Sequence, residues 1–172
     1  MPAATSSGRV SIEEYRRTSY EPDAEYVDGC IEKRPMGEYD HAAWQEALLL
    51  WFRQHAAEWR IRVKPELRVQ VSATRFRVPD ITVLGRERPI EPVITKPPLA
   101  VFEILSPEDS LSRMLVKLAD YEAMGISQIW VVEPGSGRAY RYQGGALLPR
   151  AEFGAPGEAI HFDFAAVAAL LD

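Results

Sequence analysis

Two short, nearly all-apolar runs constrain the architecture most: Leu99-Ala100-Val101-Phe102-Glu103-Ile104-Leu105 and Ile129-Trp130-Val131-Val132. Runs this short and unalternating read as strands buried on both faces. Between them, Leu111, Met114, Leu115, Leu118 and Tyr121 recur at helical spacing within residues 110–124, and Gly125 stands where a C-cap belongs. Ser106-Pro107 ends the first run. The combination predicts a parallel strand pair joined by a right-handed helical crossover.

The upstream half supplies the remaining layers. Ser11 with Glu14 offers a reciprocal helix cap, and Glu25 to Glu32 reads as a hairpin turning at Asp28-Gly29. From Asp40 to about Trp59, Trp44, Ala47, Leu48, Trp51 and His55 predict one helix. Ile61, Val63, Leu67, Val69 and Val71 alternate with polar residues and predict one strand. Ser72-Ala73-Thr74 turns into a second, from Arg75 through Leu84, and residues 85–98, with four prolines, form a loop. Past Pro134 a peripheral hairpin turns at Gly144-Gly145, and Asp163 caps a last helix. The expected fold is an α/β sandwich with a mixed sheet: helix, three strands, helix, strand. Residues 1–10 read as a flexible tail and 11–172 as a single domain.

Composition removes several function classes. No apolar run approaches the roughly 20 residues of a membrane-spanning helix, and the polar N-terminus carries no secretory pattern. One cysteine, Cys30, forbids an internal disulfide and suits a reducing cytoplasm. With only three scattered histidines (His41, His55 and His161), a structural zinc site is not expected, and any metal would be held by oxygen, hence Mg²⁺ or Mn²⁺. A net charge of −5 argues against indiscriminate nucleic-acid coating, although carboxylates that hold metal also make a site acidic.

The chemistry concentrates on two carboxylates. Asp80 opens one apolar run after Pro79, and Glu103 interrupts another. A charge inside Val-Phe-Glu-Ile-Leu is expensive to bury unpaired. The plain alternative is a strand end or a salt bridge to an arginine. Two carboxylates on adjacent strands repel unless a cation lies between them, and a hard divalent ion accepts them together with a backbone carbonyl, here that of Ile104.

Pro79-Asp80 with Glu103-Ile104-Leu105 resembles the PD-(D/E)XK signature of the restriction-endonuclease-like superfamily. The usual lysine position is Leu105, so the common motif is broken. The stretch Phe102 to Glu108, followed by Lys117, Tyr121, Gly125 and Ile129 to Pro134, resembles the Uma-two family of endonucleases, long a domain of unknown function. In that branch the lysine is thought to have moved to the following helix, and Lys117 occupies the matching place. The resemblance runs from Glu25 to the terminal helix. It includes the opening hairpin and His41, and departs mildly at Glu133, where aspartate is commoner. It implies Asp80, Glu103 and Lys117 as the catalytic set, with Lys117 orienting or deprotonating the attacking water.

Independently, Lys117 lies at the edge of the helix's apolar stripe, where it reads either as a surface lysine or as one reaching back towards Glu103. Read as exposed, it could be replaced by alanine at a stability cost of no more than about 0.5 kcal/mol. Glu66, alone among basic residues, reads as a cross-strand ion-pair partner or an extra metal ligand. His41 is a cap, a packing residue or a phosphate contact, and Tyr121 is core or accessory. Arg60, Arg62, Lys64, Arg68, Arg75 and Arg77 crowd two predicted strands, forming either a solvated edge or a phosphate-tracking surface.

These readings converge on a cytoplasmic, Mg²⁺- or Mn²⁺-dependent nuclease-like protein acting on phosphodiesters, with DNA as expected partner. Peripheral Tyr140, Tyr142 and Phe153, together with the need to cut two strands, suggest a homodimer. The rivals are an inactive nucleic-acid-binding or interaction module on the same fold, and a metal-free glycosidase using the same carboxylates.

Overall fold

A computed structural model describes residues 8–154 and 159–171. Residues 1–7 of the expected tail lie outside this set, but Val10 is anchored: its N–H donates to the Gly29 carbonyl, and its own carbonyl accepts from the Tyr26 hydroxyl. The elements are α1 (Ile12–Arg17), β1 (Glu25–Val27), β2 (Cys30–Glu32), α2 (Tyr39–Gln54), α3 (Ala56–Trp59), β3 (Ile61–Pro65), β4 (Val69–Ser72), β5 (Arg75–Arg77) and β6 (Ile81–Gly85). They continue with β7 (Ala100–Ile104), α4 (Leu111–Met124), β8 (Gln128–Glu133), β9 (Arg138–Gln143), β10 (Ala146–Arg150), β11 (Glu152–Phe153), β12 (Phe162–Asp163) and α5 (Phe164–Ala168).

The main sheet has the order β10-β9-β8-β7-β6-β3, with β7 and β8 parallel and the other pairs antiparallel. Its alternating side chains serve two cores. Phe102, Ile104, Trp130 and Val132 pack against α2 and α5, while Val101, Ile129 and Val131 pack with Met114, Leu118 and Tyr121 of α4. A second sheet, β2-β1-β5-β4, has its own small core of Tyr15, Tyr26 and Phe76.

Local signals set the helix ends and turns. Ser11, Ser110 and Asp163 each accept a backbone N–H in the first turn of α1, α4 and α5. Gly125 closes α4 at φ 101°, a left-handed conformation that would strain any side chain. The β1–β2 turn places Asp28 and Gly29 at φ 50° and 96°, as a two-residue hairpin requires.

Three expected elements are divided. The helix expected from Asp40 to Trp59 breaks at His55, whose ring nitrogen contacts the Trp51 carbonyl at 2.8 Å while its backbone N–H lies 3.3 Å from the same atom. The strand expected from Ile61 to Val71 is β3 in the main sheet and β4 in the second one. The strand expected from Arg75 to Leu84 likewise crosses from β5 to β6. Pro65 and Pro79 precede both corners, where a ladder donor is missing and Glu66 adopts φ 53°. Alternation continued through these bends, so the period of two could not register the change of sheet.

The hairpin expected to be peripheral, β9–β10, extends the main sheet. Within it Tyr142 is buried, as is Phe153 on β11, and Tyr140 is half-buried, so these residues do not supply an exposed patch for a dimer.

Candidate active site

The corner between β5 and β6 positions the first carboxylate. Ile81 pairs with Phe102 across β6 and β7, which sets Asp80 and Glu103 on the next rung, facing α4. Both carboxylates line one small cleft of about 60 Å³, together with Ile104, Lys117, His41 and Arg34.

Asp80 is almost fully buried and its oxygens are divided. Oδ2 accepts the Ile104 N–H at 2.7 Å, locking the carboxylate to β7. Oδ1 accepts from Arg34 Nη2 at 2.8 Å and lies 3.2 Å from His41 Nε2. Burial alone would raise its pKa, but His41, Lys117 and Arg34 hold it below the ordinary carboxylate value. The reciprocal effect acts on His41, whose burial opposes charge while Asp80 holds the imidazole pKa above normal. Gln45 on α2 and the Glu66 N–H both donate to the Asp80 carbonyl, tying the corner to the helix.

Glu103 is equally buried. Lys117 Nζ lies 2.8 Å from its Oε1, and the Tyr121 hydroxyl donates to the same oxygen at 2.6 Å. Burial nevertheless pushes its pKa up to about 8: Lys117 pulls it down, but Asp80 and Glu25 push it back. The Lys117 ammonium also lies 2.7 Å from Glu25 Oε1. Burial would discharge this lysine, yet the carboxylates of Glu103, Glu25 and Asp80 hold its pKa above normal. It is therefore a fixed cation and not a surface group.

Glu25 and Arg34 were not legible as site residues. Glu25 accepts from Val78 N–H and from Arg77, and burial notwithstanding, Lys117 and Arg77 keep it ionised below the usual range. A carboxylate opening a strand of three residues leaves no periodic signal; the only hint was Pro-free polar sequence around Asp28-Gly29. Arg34 stands in a short loop before α2, where Lys33-Arg34-Pro35 reads simply as linker.

The basic surface is not contiguous. Arg60, Arg62 and Lys64 lie on or beside β3, while Arg68, Arg75 and Arg77 belong with the second sheet. Arg68 holds Asp23 with two nitrogens and lies over the Tyr15 ring. Arg75 pairs with Asp28 and Asp120, and buried Arg77 pairs with Asp120, Glu25 and Glu32. Arg60 pairs with Glu87, Arg62 donates to the Arg88 carbonyl, and Lys64 is exposed. Three of the six cations are thus internal ties. Glu66 pairs with Arg34 at 3.4 Å.

Among the described residues, no group of three or more His, Cys, Asp or Glu side chains is placed to hold a metal ion. An ion here would instead take Asp80, Glu103, the Ile104 carbonyl and waters, an all-oxygen set of the kind that suits Mg²⁺. Two observations fit that arrangement. Asp80 and Glu103 are both buried carboxylates lining one cleft, and Asp80 adds to the burial that raises the Glu103 pKa. The Ser106 hydroxyl, buried in the wall of the same cleft, has no hydrogen-bond partner among the described residues.

The Uma2 family, described as "Putative restriction endonuclease", matches residues 12–163. The chain belongs to this family. No curated protein matches it. Among solved structures, the crystal structure of "a putative nuclease belonging to DUF820 from Anabaena variabilis ATCC 29413" superposes with a TM-score of 0.77 at 20% identity, covering 94% of this chain and 98% of that one. The fold of this Uma2 protein is accordingly restriction-endonuclease-like. A cryo-EM structure of a DrdV–DNA complex gives a TM-score of 0.41 at 20% identity, over 75% of this chain and 10% of that one.

Proposed function

We propose that this Uma2 protein is a metal-dependent endonuclease that hydrolyses phosphodiester bonds in DNA, with Asp80, Glu103 and Lys117 as its catalytic residues. One observation carries the reading: a lysine held charged beside two buried carboxylates that face one cleft. Asp80, Glu103 and the Ile104 carbonyl would hold Mg²⁺ or Mn²⁺, which supplies Lewis-acid polarisation of the phosphate and of a water. The carboxylates of Glu103, Glu25 and Asp80 favour the charged form of Lys117. Its role is to orient the attacking water and to stabilise negative charge that develops on the phosphate. Tyr121 and Glu25 are positioning residues that fix Glu103 and Lys117.

The test is cleavage of supercoiled plasmid with Mg²⁺ or Mn²⁺, with a single-stranded RNA as the competing substrate. Nicked or linear DNA is expected, abolished by EDTA and by Asp80→Asn. A second reading, binding without cleavage, is favoured by one feature: Asp80 Oδ1 is already engaged by Arg34 and His41. Metal-independent DNA retention with no product at any metal concentration would select it.

A further inference from the structure

Arg34 follows β2 in a segment whose other long side chains, Lys33 and Met36, are exposed, yet its own side chain is only 9% exposed. A guanidinium is taken out of water only where carboxylates receive it. Its two ends go to different acceptors: Nη2 to Asp80 Oδ1 at 2.8 Å and Nη1 to Glu66 Oε1 at 3.4 Å. The two acceptors differ in setting. The Asp80 side chain is 5% exposed and fixed to β7, whereas that of Glu66 is 44% exposed at the outer side of the corner.

The contact with Asp80 falls on a particular oxygen. Oδ2 accepts the Ile104 N–H, and the resident cations gather on Oδ1. That oxygen already receives Arg34 and His41. An imidazole can give up its proton, but a guanidinium does not lose its charge in a protein. A divalent ion brought to Asp80 is therefore repelled by Arg34, and Glu66 is the acceptor towards which the guanidinium can withdraw.

We propose that Arg34 is a resident counter-cation that competes with a divalent metal ion for Asp80, so that the ion's affinity is set by transfer of the guanidinium from Asp80 to Glu66. The inference rests on the metal-dependent reading above and assigns to Arg34 and Glu66 a role that the catalytic set does not contain. Glu66 in this view is a positioning residue for Arg34, not a metal ligand.

The experiment is calorimetric titration of the full chain with MnCl₂, without nucleic acid, for the parent, Arg34→Met, Glu66→Gln, the double variant and Asp80→Asn. Arg34→Met should bind Mn²⁺ about ten-fold more tightly, within the usual range of coupling between sites. Glu66→Gln should bind it several-fold more weakly, and should have no effect in the Arg34→Met background. Equal or weaker binding by Arg34→Met, with parent binding abolished by Asp80→Asn, overturns the inference and leaves the metal reading standing. No binding by either parent or Arg34→Met overturns both. A Glu66→Gln loss that persists without Arg34 makes Glu66 a ligand and overturns its assigned role. If circular dichroism shows Arg34→Met unfolded, Arg34→Gln, neutral but still able to hydrogen-bond, takes its place with the same expected gain and the same refuting result.

Discussion

Lys117 Nζ lies 2.8 Å from Glu103 Oε1, although one residue stands on a helix and the other on the strand beneath it. On the proposed reading, α4 supplies the ammonium that Leu105 cannot supply from the strand. Lys117→Ala should remove transition-state stabilisation of about 3–4 kcal/mol, or two to three powers of ten in rate. It should also destabilise the fold, contrary to what an exposed lysine would do. Glu25 keeps Arg77, but Glu103 loses the ammonium paired with it, and breaking a buried ion pair costs on the order of 3–5 kcal/mol. Cleavage rates at saturating Mg²⁺, measured below a melting temperature determined for the variant, separate the two effects.

Tyr121→Phe removes the hydroxyl that donates to Glu103 at 2.6 Å. A hydrogen bond to a buried charged acceptor contributes about 1.5–3 kcal/mol. Because the bond favours the ionised carboxylate, the loss should be larger at pH 9 than at pH 6, read from thermal melts at both. An equal loss at both would mark Tyr121 as core alone.

Glu103 also sets a pH dependence. The folded protein keeps its proton up to about pH 8, while an unfolded chain releases it near the ordinary value of 4.5. Between those limits the folded state binds more protons, so this group's contribution to stability is fully present below the lower value and lost as pH rises through the upper one. Glu103→Gln should flatten the decline in melting temperature across that window. A parent profile that rises from pH 5 to 8 without metal would contradict the assignment.

Arg77 and Arg60 were indistinguishable as members of one basic surface, but their environments predict opposite outcomes. Arg77→Met uncovers Glu25, Asp120 and Glu32 together and should cost about 3–5 kcal/mol. Arg60→Ala, at an exposed pair, should stay within about 0.5 kcal/mol. Chemical denaturation of the two variants decides the matter.

The parts of the fold that the sequence revealed are those written in local repeats. The apolar runs of β7 and β8, the α4 stripe and the caps at Ser11, Gly125 and Asp163 each act over a few residues, and each is present. The rest depends on contacts between segments distant in the chain. Nothing near Glu25 announces Lys117, and nothing near Arg34 announces Asp80. The six cations misled for the same reason: Arg68, Arg75 and Arg77 alternate like surface residues, but their partners come from a hairpin, a helix and a loop elsewhere. The pair Asp80 and Glu103 could be found because each interrupts an apolar strand, where a lone charge is conspicuous.

The bends at Glu66 and Asp80 carry a consequence for the history of each molecule. Glu25 comes from the second sheet, Asp80 from the corner between sheets, Glu103 from the main sheet and Lys117 from the helix that packs against both. A chain emerging from the ribosome holds the first two long before it holds the lysine, and a chain with only one sheet formed holds no cleft. On the proposed reading, competence to attack a phosphodiester would arrive only once both sheets and α4 have docked.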